Sequence, residues 1–273
     1  MGATSRSARR APRAQPIWSV AVSTDVVLLV PPSLSKTPGA RSGPTRDGLH
    51  RYLAPERRAL LDALRHELDS LSLAGAEKLF KASGALAKHA RATNRALVEQ
   101  KPPLMAAWAR YSGVVWEHLD PGTLDDEALR KLLVPSAVYG VNLATDTIAD
   151  HRLSFQATLR GLGNLAGFWR PAVTTAIARG ARGRVVLDLL PGEHAGAIDH
   201  TCLGAEVELR RVRFLSPEGQ KPIGHGAKAA KGKLARWLLE EGLEGAAAFA
   251  WDGWHATWQG PTLEVVASPF SKK

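Results

Sequence analysis

Apolar residues follow two rhythms along this chain. Val26-Val27-Leu28-Leu29-Val30 is a continuous apolar run closed by Pro31-Pro32. An unbroken run of that length predicts a strand buried on both faces. Leu60, Leu64, Leu68 and Leu71 then recur at helical spacing behind Pro55, a residue suited to the first turn of a helix. A longer helix is predicted over 76–100, with Leu79, Leu86 and Leu97 inward and Lys78, Lys81, Lys88, Arg91 and Arg95 outward, stopped by Pro102-Pro103. A further helical piece carries Trp108 into Tyr111-Ser112-Gly113-Val114-Val115-Trp116. Asp125, Asp126 and Glu127 place acids in the first turn of a short helix ending near Leu133.

The second half reads as a strand over 136–141 that breaks at Gly140, a helix over 164–179, and strands over 184–190 and 207–214. The second of these strands carries Arg210, Arg211 and Arg213. A helix follows to about Glu241, seated on a core by Leu234, Trp237 and Leu238. Short aromatic strands over 247–251, 254–258 and 263–266 close the chain. Helices and strands are intermixed and no period repeats, which predicts an α+β (mixed) fold. The expected layout is one compact domain over 25–268, a central mixed β-sheet wrapped by helices. A loosely ordered basic extension (1–24) would precede it and a short tail (269–273) would follow.

Hydrophobic content of 45% and charged content of 23% over 273 residues are ordinary for a globular protein. The formal charge of +10 is not ordinary, and it favours an anionic partner: nucleic acid, nucleotide or acidic surface. A single cysteine, Cys202, excludes an internal disulfide. No apolar run is long enough to span a bilayer, so no membrane partner is expected. Arg6, Arg9, Arg10 and Arg13 before the semi-apolar run 17–30 resemble a secretory signal only superficially, because Asp25 interrupts the run. A cytoplasmic location and a monomer are the expectations, and no cofactor is indicated.

The stretch from Gly224 to Trp237 carries the densest candidate chemistry. Lys228, Lys231 and Arg236 share roughly one side of a helix, with Lys233 on the flank, behind a first turn of small residues. Cations beside free N–H groups hold phosphate well. Lys36 sits in the loop leaving the carboxyl end of the first strand, a position that meets ligands in open sheets. Leu159-Arg160-Gly161-Leu162-Gly163 before a helix has the apolar-x-Gly-apolar-Gly pattern of a helix-hairpin-helix turn. Glu193, His194, Asp199 and His200 match no familiar metal spacing, and Cys202 beside His200 reads as a small buried thiol. P-loop, dinucleotide-glycine and Gly-x-Ser-x-Gly motifs are missing.

Several blocks, taken in order, resemble one family. They are Pro31-Pro32-Ser33 with Lys36; Tyr111-Ser112-Gly113-Val114; Ser136 through Tyr139-Gly140; Arg152-Leu153-Ser154; Leu162-Gly163 with Phe168-Trp169-Arg170-Pro171; and Val186-Leu187-Asp188. The last is His225, Lys228, Lys231, Gly232 and Arg236. From about Val26 to Val266 the chain is similar to the YaaA family of peroxide-stress proteins. The resemblance implies a central sheet wrapped by helices, a positively charged cleft, a helix-hairpin-helix element, and a link to DNA binding and protection under peroxide stress. Departures are Leu143-Ala144 for Arg-Pro, His151 for a tyrosine, and Leu190 to His194 for Arg-Ser-Gly-x-Tyr. Gly226-Ala227 replaces Phe-Asn, and Leu34 stands where an acidic residue is usual. These exchanges suggest a specialised relative.

Two functional readings follow. In the first, Ser33, Lys36, Arg152, Arg170, His225, Lys228, Lys231 and Arg236 contact DNA or nucleotide phosphates, and Tyr139, Trp169 or Trp254 stacks on an unpaired base. In the second, the protein is an enzyme on a nucleotide or other small anionic substrate. There His151 and His194 move protons, and Lys36, Arg152 and Lys228 neutralise charge. Convergence of Lys36, His151, His194 and Lys228 on a closed pocket favours the second; an open groove favours the first, and the family resemblance and the net charge tilt the expectation towards the groove.

Overall fold

A computed structural model of the chain describes residues 25–40, 46, 48–100, 102–217 and 225–268, the side chains of His225 and Gly226 excepted. Eight strands form the main sheet: β1 (Val26–Leu29), β2 (Leu132–Ser136), β3 (Gly140–Leu143), β4 (Val185–Asp188), β5 (Glu208–Leu215), β6 (Ala250–Trp251), β7 (Trp254–Gln259) and β8 (Thr262–Ala267). Their spatial order is β6-β7-β8-β5-β4-β1-β2-β3. The five from β8 to β2 run parallel; β3, β7 and β6 pair antiparallel at the two edges. The fold is thus a single α+β domain built on a mixed sheet.

Every residue of β1, β2 and β4 is buried. That explains the unbroken apolar run at Val26: central parallel strands are covered on both faces and have no solvent side for polar residues. The covering helices include α1 (Ala54–Ser70), α2 (Leu73–Phe80), α3 (Gly84–Val98), α4 (Val114–Leu119), α5 (Leu165–Gly180), α6 (His200–Glu206) and α7 (His225–Glu241). Leu60, Leu64 and Leu68 of α1 and Leu234 and Leu238 of α7 are fully buried, as their spacing predicts.

The structure departs from the sequence pattern in several places; the short helix expected to end near Leu133, for one, stops at Arg130, and Leu132–Leu133 already pair in β2. The helix expected over 76–100 is two helices, because Lys81 takes the left-handed conformation (φ 49°) that ends α2. The new register points Ala87, Ala90, Asn94 and Leu97 inward and leaves Leu86 46% exposed. The strand expected over 136–141 is the β2–β3 hairpin. Gly140 has φ 71° there, and a Cβ on it would stand 2.6 Å from Leu53 Cδ1. The strand expected over 247–251 is mostly a 3-10 turn, Glu244–Ala248, and only Ala250–Trp251 pair.

A further departure concerns the helix-hairpin-helix. Thr158–Leu159 pairs antiparallel with Gly163–Asn164, so a small β-hairpin, not a helix, precedes α5. Gly161 and Gly163, at φ 82° and 73°, permit the tight turn. The N–H groups that such a motif offers to phosphate are spent internally. Leu165 N donates to Ala157 O, Ala166 N to Phe155 O, and Ala166 N and Gly167 N to Asn164 Oδ1. The extension 1–24, the tail 269–273 and Gly224 lie outside the described residues. Among the described residues, no helix is long and apolar enough to cross a membrane.

Candidate functional site

From β1 the chain moves to β2 on one side; from β4 it moves to β5 on the other. Loops leaving adjacent parallel strands in opposite directions open a crevice at the carboxyl end of the sheet. A cavity of about 820 Å³ lies there, bordered by 31–36 after β1, Ser136-Ala137 at the end of β2, 190–194 after β4 and 212–215 in β5. Helices α4 and α7 supply further wall.

Lys36 is held from both sides. Thr37 N donates to Arg110 O at 2.9 Å, and Ser112 N donates to Ser35 O at 3.3 Å. The buried Arg110 guanidinium grips the carbonyls of Thr37, Gly39 and Pro103. The Lys36 ammonium donates to Ser33 O at 2.9 Å and lies 5.4 Å from the Tyr111 ring centroid. Burial pushes its pKa down to about 7; Asp150 opposes this, and Arg152 and Arg110 add to it.

Lys231 enters from α7. Its ammonium donates to Leu189 O and lies 4.9 Å from the Phe214 ring centroid. Burial pulls its pKa to about 8, against the pull of Asp188 and Glu193. Lys228, three residues earlier, is exposed at the rim.

His151 is 3% exposed, and its Nδ1 lies 3.0 Å from Ala149 O. That contact requires the proton on Nδ1 and leaves Nε2 with the lone pair. Burial, with Lys36 adding, holds its pKa well below the usual histidine range. His194 packs edge-on to Phe155, and its Nε2 lies 3.5 Å from Glu193 Oε1. Its pKa is lowered by burial first; Glu193 opposes this. His194 Nδ1 and Ser154 Oγ, both on the lining, are buried without a hydrogen-bond partner among the described residues. Unpaired buried polar atoms in a cavity are sites for a ligand to satisfy.

The structure thus brings Ser33, Lys36, His151, His194, Lys228 and Lys231 to one cavity. It places six other candidates elsewhere, each engaged within the protein. Arg152 is spent on three carbonyls, Phe80, Lys81 and Leu34. Arg170, exposed on α5, donates to Gly196 O. Arg236 joins Glu240, Asp120 O and Thr123. Trp169 is fully buried with its Nε1 on Ala137 O, and the Tyr139 hydroxyl accepts from Ala149 N. Trp254 is also buried, edge-on to Phe214. The side chain of His225 lies outside the described residues.

Lining groups that the sequence pattern did not single out are Lys81, Arg213, Ser136 and Gln156. Ser136 had a signal in the block Ser136–Gly140; Lys81 read as an outward position of a helix and Arg213 as one of three arginines in a strand, with nothing to tie either to a site. Asp199 caps α6, and His200 pairs with Asp188 at 2.8 Å. Among the described residues, no group of three His, Cys, Asp or Glu is placed to hold a metal. Cys202 is exposed, contrary to the expectation of a buried thiol.

The sequence model of the family described as peroxide stress protein YaaA matches residues 26–257, which takes in the sheet from β1 into β7. The chain belongs to the YaaA family. It is similar to a UPF0246 protein of Streptomyces coelicolor, 32% identical over 228 residues, which are 80% of this chain and 84% of that protein. A UPF0246 protein of Corynebacterium glutamicum is 30% identical over 78% of this chain and 84% of its own length. One from Ruegeria sp. is 37% identical over a shorter stretch, 50% of this chain and 59% of that protein.

Proposed function

We propose that this YaaA-family chain is an enzyme whose cavity holds a small phosphate-bearing molecule of nucleotide size and moves protons on it. One observation carries this reading: Lys36, His151, His194, Lys228 and Lys231 line the same cavity of about 820 Å³. That volume is in the range of small-molecule sites, roughly 300–1,000 Å³. Lys228 and Lys231, one turn apart on α7, meet the phosphate, and Arg213, 3.3 Å from Glu264, adds charge to the wall, where Glu193 is the one acid among the described residues. His151, neutral with its lone pair on Nε2, serves as the base.

The second reading is DNA binding in peroxide stress, with a strand lying across the rim at Lys228 and Arg213. The formal charge of +10 favours it. Calorimetry with inorganic phosphate, AMP, and single- and double-stranded oligonucleotides at low salt separates the two. Saturable one-to-one AMP binding, weakened about tenfold in Lys231→Met, is the expected result. The enzyme reading falls if AMP and phosphate give no heat, or if DNA binds equally well to Lys231→Met and is not displaced by AMP.

A further inference from the structure

Lys36 differs from an ordinary surface cation in three independent ways. Its backbone is stapled on both sides to 110–112, so the side chain leaves a fixed point. Its amine is turned inward onto one carbonyl, Ser33 O, and an aromatic face, and forms no ion pair among the described residues. It borders the cavity beside His151, whose Nδ1 proton is committed to Ala149 O. A desolvated amine next to a proton acceptor is the arrangement of a nucleophile.

We propose that Lys36 attacks the carbonyl carbon of a phosphate-bearing aldehyde or ketone in this cavity and forms an imine. This rests on the phosphate reading of Lys228 and Lys231 and adds the class of the reacting group. The amine lone pair makes the new C–N bond, and the carbonyl π pair moves to oxygen. His151 Nε2 takes a proton from nitrogen and returns it to the oxygen, giving the carbinolamine; the remaining N–H proton then goes to the departing hydroxyl. Loss of that oxygen as water gives the imine, so one water leaves for each bond formed and no oxidant or reductant is needed.

The groups facing Lys36 all act on its charge. Arg110 and Arg152 oppose the ammonium, Asp150 favours it, and the Tyr111 ring and His151 complete the surround. With its pKa near 7, about half of Lys36 is free amine at neutral pH. A lysine of ordinary pKa has a free-amine fraction about a thousandfold smaller at that pH.

The test is trapping with sodium borohydride at pH 7 in the full chain, using pyridoxal 5′-phosphate as a phosphate-bearing aldehyde probe and pyridoxal as its phosphate-free counterpart. Peptide mass spectrometry locates the reduced adduct. The expected result is a stable adduct on Lys36 forming at least tenfold faster than on any surface lysine. The rate should level off above pH 8, and inorganic phosphate should suppress the phosphate-bearing probe only. Adduct on Lys36 with both probes alike, insensitive to phosphate, would support the nucleophile and refute the phosphate reading. Adduct spread over surface lysines, or a Lys36 rate still rising at pH 9 to 10, overturns the proposal. Because the pH profile is measured on the wild-type chain, the result does not depend on whether Lys36→Met folds; that variant, where folded, should lose the fast phase.

Discussion

Gly232 offers a substitution whose usual effect the structure reverses. Replacing a glycine inside a helix by alanine ordinarily stabilises by about 1 kcal/mol, because the backbone loses less freedom on folding. At Gly232 of α7 the added Cβ would stand 2.3 Å from Val115 O, 2.8 Å from His118 Cβ and 3.0 Å from Leu119 N. Two of those three atoms are backbone of α4 and have no rotamer to escape into. The helices must part, at an overpacking cost of about 1–3 kcal/mol or more. After the propensity gain, Gly232→Ala should still lose up to about 2 kcal/mol, a fall of up to about 8 °C in Tm for a chain of this size. Gly204 of α6 is the control: no atom comes within 4 Å of its Cβ position, so Gly204→Ala should hold or raise Tm. Scanning calorimetry of the pair decides it. A Gly232→Ala protein as stable as Gly204→Ala would refute the close approach of α7 to α4. Since α7 carries Lys228 and Lys231, the same variant should also weaken AMP binding.

Other outcomes follow from the same geometry. Lys228→Ala and Lys231→Met should each weaken AMP binding about tenfold, while Arg170→Ala and Arg236→Ala change it less than about twofold, by calorimetry, because an unshared charge-assisted bond is worth about 1.5–3 kcal/mol. Arg152→Met should cost about 1–2 kcal/mol in denaturant unfolding, chiefly by freeing the part-buried Phe80 carbonyl, since those of Leu34 and Lys81 are exposed to water. His151 is held neutral in the folded chain, whereas the unfolded chain binds a proton below about pH 6.5. Stability should therefore fall as pH drops through that value, and less steeply in His151→Gln. Lys36 acts at the other end: unfolded lysine stays protonated to about pH 10.4, so stability should rise from about pH 7 upward, and Lys36→Met should lose that slope in urea titrations.

What the sequence made legible was set by how local the cause was. Strand β1 was readable because burial on both faces writes itself as a run of apolar residues. The split between α2 and α3 was present in Ser83-Gly84 but masked by a continuous helical rhythm in the alanines on either side. Lys36, Lys228 and Lys231 could be gathered from the order of their blocks and His151 and His194 from the exchanges beside them, because loop residues after β1 and β4 and the first turns of α7 border the same cavity. Arg152, Arg170 and Arg236 look like the same kind of residue in one dimension. Whether a guanidinium faces a ligand or is absorbed by carbonyls depends on Phe80, Gly196 or Asp120, which lie 72, 26 and 116 positions away. No local pattern reports that. Tyr139 and Trp169 illustrate the same limit, since a buried aromatic with its polar tip satisfied resembles a stacking platform until its neighbours are placed.

The central position of β1 has a consequence for how the protein comes into being. Its partners lie at Leu132–Ser136 and Val185–Asp188, and the lysines of α7 arrive later still. Parallel pairing between such distant segments is slow to assemble and gains nothing until late contacts form. A chain emerging from the ribosome would therefore carry Lys36 for most of its synthesis as an ordinary solvated amine. Its special chemistry would switch on only once 110–112, 150–152 and the strands flanking β1 had docked, so a product cut short before β4 would be inert toward carbonyl compounds.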